Sequence, residues 1–152
     1  MTKEQFIKEM NRQVKLVRTE YGFTQDVMAQ VLGLSKKTLV EIEKGRSSLG
    51  WTGAVALASI FSGSQVLAGC LGGDGADMIQ ALAFETVKPI YPKTMGGKIW
   101  WNTVEVGTGY RIQQNLLSKH YRALDEEDGR IVSALELAAI YERLAELGLR
   151  DA

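Results

Sequence analysis

Residues 25–44 read QDVMAQVLGLSKKTLVEIEK, and the spacing of their apolar side chains decides the fold. Val27, Met28, Val31 and Leu32 fall at helical intervals in the first half, and Leu39 and Ile42 do so in the second. Thr24 stands at an N-cap position with Asp26 in the turn that follows, and Gly33 closes the segment. Ser35 caps the next helix, which runs from Lys36 to Lys44 until Gly45 stops it. Two short helices joined by a tight turn are therefore predicted.

The same punctuation extends outward. Over residues 4–21, Phe6, Met10, Val14, Val17 and Tyr21 recur at steps of three or four, and Gly22 follows as a stop. After the loop at 46–48, Trp51, Val55, Leu57, Ala58 and Phe61 predict a fourth helix, and residues 64–71 a fifth. Gly69, Gly72, Gly73 and Gly75, interrupted by Asp74, read as a linker, which places a domain boundary after residue 72. Residues 76–87 then predict one more helix, with Met78, Ile79 and Leu82 on one side and Pro89 and Pro92 beyond it.

Further along, the texture changes to β. Residues 98–106 are rich in Trp, Ile, Thr and Val, and Gly107-Thr108-Gly109 separates them from 110–117, a hairpin pattern. A second hairpin is predicted between 121–124 and 130–132, turning near 126–129. Ser133 and Glu136 have capping-box spacing ahead of a terminal helix bearing Leu137, Ile140, Tyr141, Leu144 and Leu147 on one face. The expected fold class is mainly α: a five-helix domain over residues 1–72, then a small α+β module over 73–152 with two β-hairpins and a C-terminal helix.

Composition narrows the function classes. With 45% hydrophobic and 24% charged residues and only 2 prolines, the chain can bury a core and is unlike a disordered or fibrous sequence. One cysteine, Cys70, excludes an internal disulfide framework, and one histidine, His120, leaves no Cys/His zinc pattern, so no metal or cofactor is expected. A reducing cytoplasm fits this cysteine usage. No apolar run is long enough to span a bilayer, and residues 1–12 are charged and amphipathic, so neither a membrane nor a signal peptide is expected. Net charge is zero, but nine Lys and Arg stand against six Asp and Glu in residues 1–50, and nine against twelve in the remainder. A phosphate-facing surface therefore belongs in the first third.

Residues 25–44 resemble the helix-turn-helix of Cro, phage repressors and the Xre-type bacterial regulators, and the resemblance covers about residues 14–71. That family places alanine at the fifth position of the motif, glycine at the ninth and apolar residues at the fifteenth and eighteenth; here these are Ala29, Gly33, Leu39 and Ile42. The small Ala29 lets two helices approach, Gly33 permits the turn, and Leu39 with Ile42 anchors the inner side. Positions 36, 37, 40, 41 and 44 then point outward. Arg18 and Glu43 also match a charge pair common in the family, as a structural support.

The resemblance implies a lambda-repressor-like DNA-binding domain and a sequence-specific regulator, a repressor, that reads double-stranded operator DNA with helix 35–44 in the major groove. The DNA-contacting residues it implies are Gln25, Ser35, Lys36, Lys37, Thr38, Val40, Glu41, Lys44 and Arg46. Among them, Gln25 holds a phosphate, Glu41 occupies a base-reading position, and Lys44 and Arg46 lie toward the backbone. Lys36 and Lys37 sit at the positive end of the helix macrodipole, which costs roughly 0.3 to 1 kcal/mol each and calls for a compensating anion. A homodimer is expected, because one domain makes too few contacts. An antitoxin that represses its own operon is the alternative, with a toxin or an effector bound through residues 73–152.

No enzyme is expected. Ala68-Gly69 and Ser118-Lys119 supply the letters of a self-cleaving repressor, but Ser118 and Lys119 are sequence neighbours, and too few residues remain for the protease. Ser118, His120 and Asp125 make only a nominal triad. Trp100, Trp101 and Tyr110 could stack on a ligand, yet core and interface packing is the simpler account.

Overall fold

The structure, a computed structural model, describes residues 1–73, 75–90 and 100–152. The chain divides into two compact units, Met1–Ile90 and Tyr91–Ala152. The boundary falls later than residue 72 because the helix after the glycine cluster packs into the first unit, where Leu82 joins the core. Asp74, Pro92 and the expected strand start at Lys98 lie outside the described residues.

In the first unit the described helices are α1 (Lys3–Glu20), α2 (Gln25–Leu32), α3 (Lys36–Glu43), α4 (Gly50–Ile60), α5 (Gln65–Leu71) and α6 (Ala76–Ala83). Helix α1 packs against α3, α4 and α5, and its stripe of Phe6, Met10, Val14 and Val17 is fully buried. The periodicity of residues 4–21 has this physical content. Thr2 completes a capping box with Gln5 at its start. Helix α6 ends at Ala83, four residues short of the expected Val87.

An eight-residue helix such as α3 cannot hold itself together in water. Leu39 and Ile42 supply what is missing: both are buried in the common core with Met28, Ala29 and Leu57. Truncating either to alanine would cost about 2–5 kcal/mol.

The second unit is a four-stranded antiparallel meander, β1 (Trp101–Gly107), β2 (Tyr110–Asn115), β3 (Tyr121–Leu124) and β4 (Arg130–Ala134), in that spatial order, followed by α7 (Leu137–Glu146). The two expected hairpins are thus joined by a third pairing, β2 with β3, into one sheet. Helix α7 packs on β3 and β4, and Ile140 and Leu144 close a core with Tyr110, Ile112 and Ala123. The expected capping box does not form: β4 runs through Ser133 to Ala134, and Glu136 caps α7 without a side-chain hydrogen bond. Leu147 is exposed, and Leu149, past the helix end, takes its place in the core.

A bulge between Thr103 and Glu105 governs the sheet's inner face. It flips Glu105 to the side of Ile112, where its carboxylate accepts from the hydroxyls of Tyr110 and Tyr141 (both 2.9 Å) and pairs with Arg150. The tail is thereby tied to the sheet. A Cβ at Gly107 would collide with the Tyr110 ring, so that position admits only glycine without rearrangement.

Hydrogen bonds from Tyr110 and Tyr141, opposed by burial and aided by Arg150, hold the Glu105 carboxyl below its ordinary value. A lowered folded-state value stabilises above the unfolded glutamate value of about 4.3 and is lost as pH falls through the folded one. We expect the β1–β2 resonances of the native state to melt at lower denaturant as pH drops through that window. Glu105→Gln should be less stable at neutral pH and show a shallower acid dependence; an identical acid limb in the variant would contradict this.

Candidate functional site

The α2–turn–α3 unit is built from local rules. Thr24 Oγ1 accepts from Val27 N at 3.2 Å, and Ser35 Oγ accepts from Thr38 N at 3.1 Å. Gly33 sits at φ 69°, and Leu34 N reaches back to Ala29 O at 2.8 Å, closing a Schellman turn that a side-chain-bearing residue would strain. The same pattern ends α3, where Arg46 N donates to Glu41 O at 2.8 Å. Ala29 is buried between the helices.

Behind this pair lies a polar lock. Arg18 Nε donates to Glu43 Oε1 at 2.6 Å, Arg18 Nη2 to Glu43 Oε2 at 3.4 Å and Arg18 Nη1 to the Phe23 carbonyl at 3.1 Å. Gln25 Nε2 donates to Glu43 Oε2 at 2.8 Å. The side chains of Arg18 and Glu43 are 16% and 5% exposed. Burial raises the Glu43 carboxyl, but hydrogen bonds from Arg18 and Gln25, with the charges of Arg18 and Lys15, outweigh it and hold the value low. One lock thus joins α1, the start of α2 and the end of α3.

The family resemblance implied a phosphate contact for Gln25; in the structure its amide also donates to Glu43. Its first task is to fix α2 against α3.

The exposed side of α3 carries Lys36, Lys37 and Lys44, with Arg46 just beyond, while Thr38, Val40 and Glu41 are half-buried. Lys36 is not the uncompensated charge that the sequence implied: its Nζ lies 2.9 Å from Asp26 Oδ2, an exposed pair. Such a pair contributes about 0–1 kcal/mol, enough to offset the macrodipole penalty of one lysine. Among the described residues Lys37 and Lys44 form no salt bridge. Glu41 is partly answered by Arg46 at 3.8 Å. Ser35, besides capping, donates its hydroxyl to Thr38 Oγ1 at 2.8 Å, so it shapes the helix start.

Two residues that sequence reading passed over position this surface. Asn11 on α1 accepts from Leu49 N at 2.8 Å and donates to Ser48 Oγ at 3.1 Å, which pins the loop that carries Arg46. Glu20 accepts from Gln65 N at 2.7 Å and from the Ser64 hydroxyl, so it caps α5 from a distance. Both contacts span more than thirty positions, and no local spacing announces them.

In the second unit, Tyr110 is a core residue, whereas Trp101 lies on the opposite face with Arg122 over its ring at 3.8 Å and His120 edge-on at 5.0 Å. The pleat thus separates Trp101 from Tyr110, in keeping with core packing for Tyr110 rather than a shared stacking surface. Ser118 bonds His120, but Asp125 Oδ1 accepts from Glu127 N (2.9 Å) and Gly129 N (2.7 Å), which holds the β3–β4 turn. Cys70 donates to the Val66 and Leu67 carbonyls at 3.4 Å, and burial first, then Glu9, pushes its thiol up, the character of an unreactive cysteine. Among the described residues no three His, Cys, Asp or Glu side chains gather as a metal site, and no single helix is long and apolar enough to cross a membrane.

No family model, curated protein or solved structure matches the chain.

Proposed function

We propose that the chain is a sequence-specific DNA-binding transcriptional regulator, a repressor of the Cro and phage-repressor kind, that reads operator DNA with α3 in the major groove. One observation carries the reading. A short helix, held on its inner side by Leu39, Ile42 and the Arg18–Glu43–Gln25 lock, turns Lys36, Lys37 and Lys44 outward with Arg46 beside them. A groove about 12 Å wide admits such a helix, and lysine at its start reaches guanine O6 and N7. Glu41 can accept from cytosine N4, and Thr38 and Val40 can meet a thymine methyl. Lys44, Arg46 and the second amide proton of Gln25 serve the phosphates.

Affinity at cellular salt requires two such helices about 34 Å apart, so the partner is a second copy. Of the two surfaces open to such a contact, helix α5 and the C-terminal unit, the second is favoured: Val66, Leu67, Cys70 and Leu71 of α5 pack on their own unit's core, whereas Leu117 and Leu135 of the C-terminal unit are exposed.

Selection of random duplexes by the full chain tests the reading. We expect a pseudo-palindrome with half-sites about one helical turn apart, bound by a sedimenting dimer. Recovery of no sequence above the input pool would remove the reading, and a monomer with and without the duplex would remove its dimeric form.

A further inference from the structure

The face of the sheet opposite α7 carries a cluster of arginines. Register places Trp101, Thr103, Arg111, Gln113, Arg122 and Leu124 on that face, opposite to the one α7 covers. Trp101, Thr103, Arg111, Gln113, Arg122 and Leu124, with Asp128, line an open cavity of about 580 Å³. Arg130 pairs with Leu124 on the neighbouring strand.

Three cations thus share a small area. Arg122 lies over Trp101 at 3.8 Å and is tethered by its Nε to Gln113 Oε1 at 3.0 Å, which fixes the fork. Among the described residues Arg122 forms no salt bridge. Arg111 pairs with Asp128, yet its Nε is buried without an acceptor. Buried donors are rarely left so, and an orphan of this kind asks for an explanation. Burial first, then the charges of Arg130 and Arg111, lower the Arg122 value, with Asp128 opposing. The face is short of negative charge.

We propose that this face is a binding site for a small oxyanion, the phosphate or carboxylate group of a compact metabolite, gripped by the Arg111 and Arg122 forks. Guanidinium forks match both groups bidentately. Gln113 and Thr103 supply neutral polar atoms at the rim, and Arg122 covers the Trp101 ring, so the ligand needs no aromatic part. A long polyanion fits poorly, because Asp125, Glu126, Glu127 and Asp128 crowd the adjoining turn. Asp128 holds Arg111 while the site is empty and must yield to the ligand. The site stands independently of the DNA-binding reading.

The test is a titration of the full-length protein with pyrophosphate in one arm and citrate in the other, followed by the side-chain Nε resonances of arginine. We expect saturable shifts of Arg111 and Arg122, and the tighter arm identifies the group. Arg122→Gln should weaken binding at least about tenfold, the loss of one charge-assisted contact. Lys119→Gln, on the β2–β3 turn, should leave it unchanged. Asp128→Asn should tighten binding by removing the competing carboxylate; asparagine tolerates the φ of 63° found there. A merely destabilised protein would not bind more tightly, so this gain separates the site from misfolding. Shifts absent in both arms, an equal loss in Lys119→Gln, or weaker binding in Asp128→Asn would each overturn the proposal.

Discussion

Replacing Glu43 by alanine is expected to destabilise the helical unit by about 3 kcal/mol, the lower end of the range for removing one partner of a buried ion pair. The variant strands the Arg18 guanidinium, which keeps only the Phe23 carbonyl, and frees Gln25. Glu43→Gln should lose less, since an amide oxygen still accepts from Arg18. Denaturant unfolding would show a lower midpoint with an unchanged slope. Because the folded-state value of Glu43 is lowered, the contribution of the lock is present above the unfolded glutamate value of about 4.3 and is lost as pH falls through the folded one. A loss near that of a surface pair, below about 1 kcal/mol, would mean that the lock does not hold α3.

The second large effect is on DNA. Replacing Lys36 and Lys37 together by glutamine should weaken the selected duplex by at least tenfold, about 1–3 kcal/mol for each lysine that contacts a base. Stability should scarcely move. Relief of the macrodipole penalty, roughly 0.3 to 1 kcal/mol per lysine, is opposed by loss of the exposed Lys36–Asp26 pair, about 0–1 kcal/mol. A variant that unfolds more easily and binds equally well would reverse both expectations.

How much of this could be read from the chain differs between the halves. In residues 4–71 the helices repeat at their own period, and Thr24, Gly33, Ser35 and Gly45 marked the ends of the elements that carry the proposed site. The Arg18–Glu43 pair needed the family resemblance, since nothing in a separation of 25 positions implies contact. Lys36–Asp26 crosses the turn and was missed for the same reason. Its consequence is that one of two charges thought uncompensated has a partner in the free protein.

In the second half strict alternation misleads. A bulge shifts Glu105 to the inner face, which no period-two pattern reveals, and β4 extends through Ser133, which pairs with Arg122 on β3. The pleat sets Trp101 and Tyr110 on opposite faces, with Tyr110 in the core, so they form no shared stacking surface. The oxyanion site arises from Arg111 and Arg122 on neighbouring strands, a juxtaposition that exists only once the β2–β3 pairing is known.

The most direct test of α3 as the reading element is the salt dependence of duplex binding, compared between the Lys36→Gln/Lys37→Gln variant and a Lys119→Gln/Arg122→Gln variant. Each phosphate contact removed flattens the slope of log affinity against log salt by roughly one unit. Weaker binding is expected in the first variant, with a flatter slope for each lysine that meets a phosphate, and the wild-type affinity and slope in the second. Unchanged binding in the first and loss in the second would move the nucleic-acid surface from α3 to the sheet.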